Sequence, residues 1–138
     1  EPEIYPLRMI KKAIPHITAV SAVIEKDGKV LLWQRPPKGL LGGLWEFPHW
    51  RTEEKRGTRL RQRLRNTIKK EMEINVEVKE LTGVFTQTYS HFKLTLHVFH
   101  CHHLNGNTKG EWVLIKNLHL LPLSRIHRRI AEVIGERR

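Results

Sequence analysis

The chain predicts a single α/β domain built on a mixed β-sheet with flanking helices, and three observations predict it. Its 138 residues match one domain and suffice to bury a core without disulfide or metal staples. Stretches of period-two apolar residues alternate with two stretches of helical period, in the order ββ, β, α, ββ, β, α, without internal repeat. A 39% hydrophobic content with one cysteine, Cys101, excludes a secreted disulfide scaffold and a four-cysteine metal cage.

Glu1 to Pro15 carries three prolines and a Lys11-Lys12 pair with no sustained period, so it reads as a linker arm, and the domain proper as 16–138. From His16 to Gln34, two β-rich runs flank Lys26-Asp27-Gly28-Lys29, a hairpin signal because both turn residues tolerate positive φ. Arg35 to Gly43 is a Pro/Gly-rich loop, and Leu44 to Phe47 a short strand stopped by Pro48. Thr58 to Glu73 predicts a helix, since Leu60, Leu64, Ile68 and Met72 recur every four residues. Val76 to Phe85 and His91 to His102 predict strands, the second by alternation of Phe92, Leu94, Leu96 and Val98 with polar residues. The polar segment Thr86 to Ser90 joins them. Beyond the Asn105-Gly106-Asn107 turn, Glu111 to Ile115 is another strand. Ser124 is placed to cap a last helix that turns Ile126, Ile130, Val133 and Ile134 inward.

Charge narrows the partner. Lys and Arg number 25 against 14 Asp and Glu, for a formal +11, which favours nucleic acid or anionic lipid. Residues 51–73 hold nine basic side chains against four acidic ones, so the predicted helix is a basic element. No run approaches the roughly 20 apolar residues of a membrane span, and Glu1 to Ile10 lacks signal-peptide order. A soluble intracellular protein is expected, cytoplasmic if bacterial.

Arg35-Pro36-Pro37-Lys38-Gly39-Leu40-Leu41-Gly42-Gly43-Leu44-Trp45-Glu46-Phe47-Pro48 resembles the signature loop and strand of the C-terminal domain of MutY-type adenine DNA glycosylases. Tyr5-Pro6, Lys11-Lys12 and Pro15 resemble the linker after that family's iron–sulfur segment. Tyr89-Ser90-His91 resembles its Phe-Ser-His loop, and Leu121-Pro122-Leu123-Ser124 opens a similar last helix. The resemblance implies a Nudix-like fold and a domain that recognises 8-oxoguanine opposite adenine while a covalently linked N-terminal glycosylase domain excises the adenine. It further implies double-stranded DNA with 8-oxoguanine:adenine mispairs as partner, a monomer, no catalytic residue, metal or cofactor in these residues, and a 4Fe-4S cluster in the missing part.

The Nudix relationship raises a rival, because true Nudix enzymes hydrolyse nucleoside diphosphate derivatives with metal held by helix carboxylates. Their Arg-Glu-hydrophobic-x-Glu-Glu core, set with its hydrophobic position on Ile68, meets Asn66-Thr67 and Lys70-Glu71. Only Glu71 survives, and a lysine among the ligands repels Mg²⁺. Glu46, between Trp45 and Phe47, reads as a structural or solvated carboxylate. His97, His100, Cys101, His102 and His103 offer ligand types, but alternation sends His100 and His102 to one face and Cys101 and His103 to the other, so plain strand histidines are expected. A stand-alone basic nucleic-acid-binding module is the remaining alternative.

Tyr89-Ser90-His91 is the sharpest candidate site. 8-Oxoguanine differs from guanine by an N7–H donor and a C8 carbonyl; the Ser90 hydroxyl can accept from the first while a backbone N–H donates to the second. A hydroxyl can also rotate and donate to guanine N7, so Ser90 alone discriminates modestly and His91 is implied to help. The family often has a histidine where this chain has Gln87. Gly42 and Gly43 can bring backbone N–H groups to a phosphate, with Arg35 and Lys38 adding charge, or can simply form a tight turn.

Overall fold

The computed structural model describes residues 14–35, 42–53 and 57–136. In chain order the elements are β1 (His16–Lys26), β2 (Lys29–Gln34), β3 (Trp45–Glu46), β4 (His49–Arg51), α1 (Gly57–Met72), β5 (Asn75–Thr88), β6 (Lys93–Asn105), β7 (Glu111–Leu114), a 3-10 turn (Ile115–Leu120) and α2 (Arg125–Glu136). The expected mixed sheet with flanking helices is present. The sheet runs β3-β2-β1-β6-β5, with β4 paired to β1 and β7 to β2. Its spine is the parallel pair β1 and β6, in unbroken register from His16↔Lys93 to Glu25↔His102.

Local chemistry explains the elements. Asp27 and Gly28 have φ of 51° and 76°, the two left-handed residues that let a two-residue turn follow the strand twist. Glu73 has φ 60° and halts α1 one residue before its expected end, its N–H still bonded to Lys69 O at 3.0 Å. Along β1, Ala19 and Val23 face one side of the sheet and Val20, Ala22 and Ile24 the other. The second set meets Leu60, Leu64, Ile68 and Met72 of α1, with Phe99 and Cys101 of β6. The first meets Ile126, Ile130 and Ile134 of α2, with Leu96 and Val98. Each fully buried Leu or Ile contributes about 1.5–3 kcal/mol, so both helices are held by their stripes rather than by intrinsic propensity.

Several boundaries differ from those read off the sequence. Strand β4 has no counterpart among the expected elements. Pro48 ends β3, but its carbonyl accepts from Ala22 N–H at 3.0 Å and Ser21 Oγ–H at 2.9 Å, which lays the next residues along β1. Strand β5 continues to Thr88 and β6 begins at Lys93, because backbone pairing carries through the polar residues 86–88. The connection shrinks to Tyr89–Phe92. The Ser124 hydroxyl turns to Glu46 Oε2 at 3.3 Å instead of an α2 amide. Of the arm at 1–15 only Ile14 and Pro15 are described; Pro15 O accepts from Lys93 N–H at 2.9 Å.

Candidate functional site

The β5–β6 hairpin loop and the N-terminal end of α2 converge over the sheet. Tyr89 N–H donates to Phe92 O at 2.7 Å and the two rings stack at 4.6 Å and 26°, so the loop is braced at its base while Ser90 and His91 stay exposed at its tip. Beneath it lies a cavity of about 400 Å³, within the range of small-ligand pockets. Ile17, Ala19, Leu94 and Ile126 give it apolar walls; Arg35, Glu46, His49, Ser124 and His127 give it polar ones.

Main-chain bonds fix the floor. Trp45 N–H donates to Pro122 O at 2.9 Å and Ser124 N–H to Trp45 O at 3.3 Å, which ties β3 to the residues leading into α2. Glu46 is consequently buried at 6% exposure, accepts from Ser124 Oγ–H and sits 3.5 Å from Arg35 Nη1. His127 is 1% exposed. Its Nδ1 accepts from Phe47 N–H at 3.1 Å, so Nε2, 3.9 Å from Glu46 Oε2, carries the proton of the neutral ring. Burial, then His49 and Arg35, push its pKa down to about 3. His49 Nδ1 lies 3.0 Å from Phe47 O and donates to it. The Tyr89 hydroxyl has a raised pKa, first from burial and then from the Glu46 carboxylate.

Glu46, His49 and His127 bring one potential ligand atom each within 4.8 Å of the others. A metal ion does not fit them. His127 has already committed Nδ1 as an acceptor, so coordination through Nε2 would demand an imidazolate. A divalent cation finds no better seat on α1, where Asn66, Lys70 and Glu71 are exposed and Glu71 is the helix's single carboxylate. What the floor offers is hydrogen bonding: a carboxylate acceptor, a histidine N–H donor and the outer ring nitrogen of a second histidine.

Tyr89, Ser90, His91 and Arg35 from the sequence reading thus line one cavity. Gly43 has φ 83° with open space where a Cβ would project; its N–H bonds Arg35 O at 3.3 Å and its carbonyl accepts from Gln34 Nε2 at 2.8 Å. The Gly43 amide is therefore engaged within the loop, and Gly42 is half-buried beside it. Lys38 lies outside the described residues, and Gln87, half-buried on β5, does not line the cavity. His100 is held between Glu25 at 2.9 Å and Glu80 at 3.4 Å, and His103 bonds Gly106 O at 2.8 Å. Burial pushes the Cys101 thiol up to about 12, which makes it inert. Sequence reasoning missed His49 and His127. The one available signal was the place of His127 beside Ile126 and Ile130 on the inward stripe of α2, where a histidine must find a partner.

Comparison with known proteins adds four findings. A family model described as NUDIX domain matches residues 19–133. The CTP pyrophosphohydrolase of Escherichia coli strain K12 is 34% identical over 95 residues, covering 69% of each chain. The human adenine DNA glycosylase is 31% identical over 106 residues, which span 69% of this chain but 18% of that protein. Among solved structures, the Escherichia coli ORF135 protein superposes with a TM-score of 0.71 at 27% identity, over 91% of this chain and 92% of that one.

Proposed function

The chain belongs to the NUDIX domain family, and from that premise we propose that it is the lesion-recognition domain of an adenine DNA glycosylase, reading 8-oxoguanine opposite adenine. The observation that carries this reading is the position of Ser90 and His91: both are exposed at the tip of a braced hairpin, directly over a cavity whose polar atoms supply acceptors and a donor. Ser90 Oγ accepts from the lesion's N7–H, and loop backbone donates to the C8 carbonyl. Tyr89 supplies a rigid base to the loop through its stack on Phe92. The excision itself belongs, in this reading, to a linked N-terminal domain that holds the 4Fe-4S cluster, with residues 1–15 as the connection. Partner DNA is double-stranded. Arg35 faces the cavity beside the Gly42-Gly43 turn and contributes backbone attraction there.

One specific finding favours a second reading, hydrolysis of nucleoside triphosphates, namely the similarity to a CTP pyrophosphohydrolase. The residue types of α1 weigh against it. Metal-assisted pyrophosphate cleavage needs several carboxylates around the ion, whereas the helix offers Glu71 with Lys69 and Lys70 beside it.

The test is Ser90→Ala in the full-length glycosylase. One hydrogen bond is worth about 1 kcal/mol, so the preference for 8-oxoguanine:adenine over guanine:adenine is expected to fall roughly fivefold. An unchanged preference removes Ser90 from the reading.

A further inference from the structure

The lesion cavity has a larger neighbour. Ile17 and Arg51 line both the 400 Å³ pocket and a cleft of about 940 Å³ that is also lined by Arg63 of α1. His16, Thr18, Thr52 and Glu53 complete its lining. Arg51 and Arg63 are exposed, and neither has an ion-pair partner among the described residues. Arg51 is fixed in place because Thr52 N–H donates to Thr18 O at 2.9 Å, which clamps the end of β4 onto β1. Among the described residues that line it, Glu53 is the one carboxylate, at the end where the chain leaves β4.

The basic residues of α1 do not share one surface. At 100° per residue, Arg61 and Arg65 fall on one flank of the buried stripe and Arg63 on the other. Arg61 lies over the Phe99 ring at 5.7 Å, whereas Arg63 reaches the cleft. Two exposed guanidiniums with no ion-pair partner among the described residues, along a cleft adjoining a base-sized pocket, match the backbone of a nucleic acid strand. Guanidinium forks fit phosphate oxygens, and a concave cleft admits a strand where a flat lipid surface could not follow.

We infer that the cleft from Arg51 to Arg63 is a phosphate track, which holds the backbone flanking the base read by Tyr89-Ser90-His91. This inference rests on the lesion-recognition reading, but the two fail differently. The track contributes affinity without sequence or lesion preference; the loop contributes preference with little affinity.

The experiment measures binding of the 138-residue chain to two fluorescent duplexes, identical except for 8-oxoguanine or guanine opposite adenine, across a salt series. Arg51→Gln with Arg63→Gln is expected to reduce the slope of log K against log salt by about 1.8, at roughly 0.9 per lost phosphate contact, and to weaken both duplexes equally. Arg61→Gln with Arg65→Gln removes the same net charge and is expected to change the slope by less than half as much. Thermal melts verify that both pairs fold, since all four side chains are exposed. An unchanged slope for the Arg51/Arg63 pair, equal losses in the two pairs, or binding only to phosphatidylserine vesicles overturns the track. Ser90→Ala, measured alongside, changes the ratio between duplexes and not the slope; a retained slope effect with a ratio that never exceeds one sinks the lesion reading and leaves the track standing.

Discussion

The α1 face of the sheet is covered by an apolar cluster, Leu60, Leu64 and Ile68 against Val20, Ile24 and Phe99, whereas the α2 face seats Glu46, Ser124 and His127 beside Ile126 and Ile130. Outside the core the contrast is repeated in another form: α1 turns cations to solvent, and the residues before α2 stand at the edge of a cavity. A dry apolar seam needs no ligand and fixes only position. A buried ionisable set must satisfy its hydrogen bonds, and the groups left facing the cavity are the ones free to read a partner. The two helices therefore differ in kind: α1 is seated on an apolar seam and carries a basic exterior, while the buried ionisable groups are gathered across the sheet.

Substitutions can break that comparison, beginning with the largest effect. Leu64→Ala on the dry face is expected to cost about 3 kcal/mol in urea unfolding, with the same loss at pH 7 and pH 5, because nothing it touches there titrates in that range. A loss confined to low pH would show that the α1 seam is not simply apolar.

His127 supplies the opposite signature. Its ring is neutral in the folded chain down to about pH 3, while the unfolded chain protonates it below about 6.5. Between those values the unfolded state binds a proton that the folded state lacks, so stability falls as pH falls, by up to about 1.4 kcal/mol per pH unit. His127→Gln keeps an acceptor for Phe47 N–H and removes the titration. The expected result is a variant less stable than the parent at pH 7 whose deficit narrows from pH 6.5 to pH 4.5; a constant deficit would mean that His127 is accessible to protons.

Glu73→Gly sharpens the scaffold side. The residue is exposed and left-handed at φ 60°, where glycine has no steric penalty, so the variant is expected to gain about 0.5–1 kcal/mol in thermal melts. The smallest effect belongs to the reading side: Ser90→Ala at the loop tip is expected to shift stability by less than about 0.5 kcal/mol, in keeping with a side chain directed at a partner instead of the core.

Much of this was legible in the sequence. The Leu60–Leu64–Ile68–Met72 stripe, the Asp27-Gly28 turn and the alternation of β6 are local patterns, and local patterns fix elements and faces. The Tyr89-Ser90-His91 loop and Arg35 could be singled out from their motif. Strand β4 could not, because what makes residues 49–51 a strand is the Pro48 carbonyl reaching β1, a contact made 27 residues away in the chain. His127 and His49 were hidden for the same reason. Their pairing through Phe47 joins β3, β4 and α2, and no spacing rule connects positions 49 and 127. The unequal flanks of α1 were implicit in helical geometry, but only the structure shows that the Arg63 flank borders a cleft.

The most direct test pits binding against hydrolysis on the same preparation of the 138-residue chain. With Mg²⁺ present, release of pyrophosphate from CTP and from 8-oxo-dGTP is followed while affinity for 8-oxoguanine:adenine and guanine:adenine duplexes is measured. Lesion recognition predicts tighter binding of the 8-oxoguanine duplex, by several-fold, with no pyrophosphate released above the buffer blank. Equal affinity for the two duplexes together with Mg²⁺-dependent pyrophosphate release would contradict it.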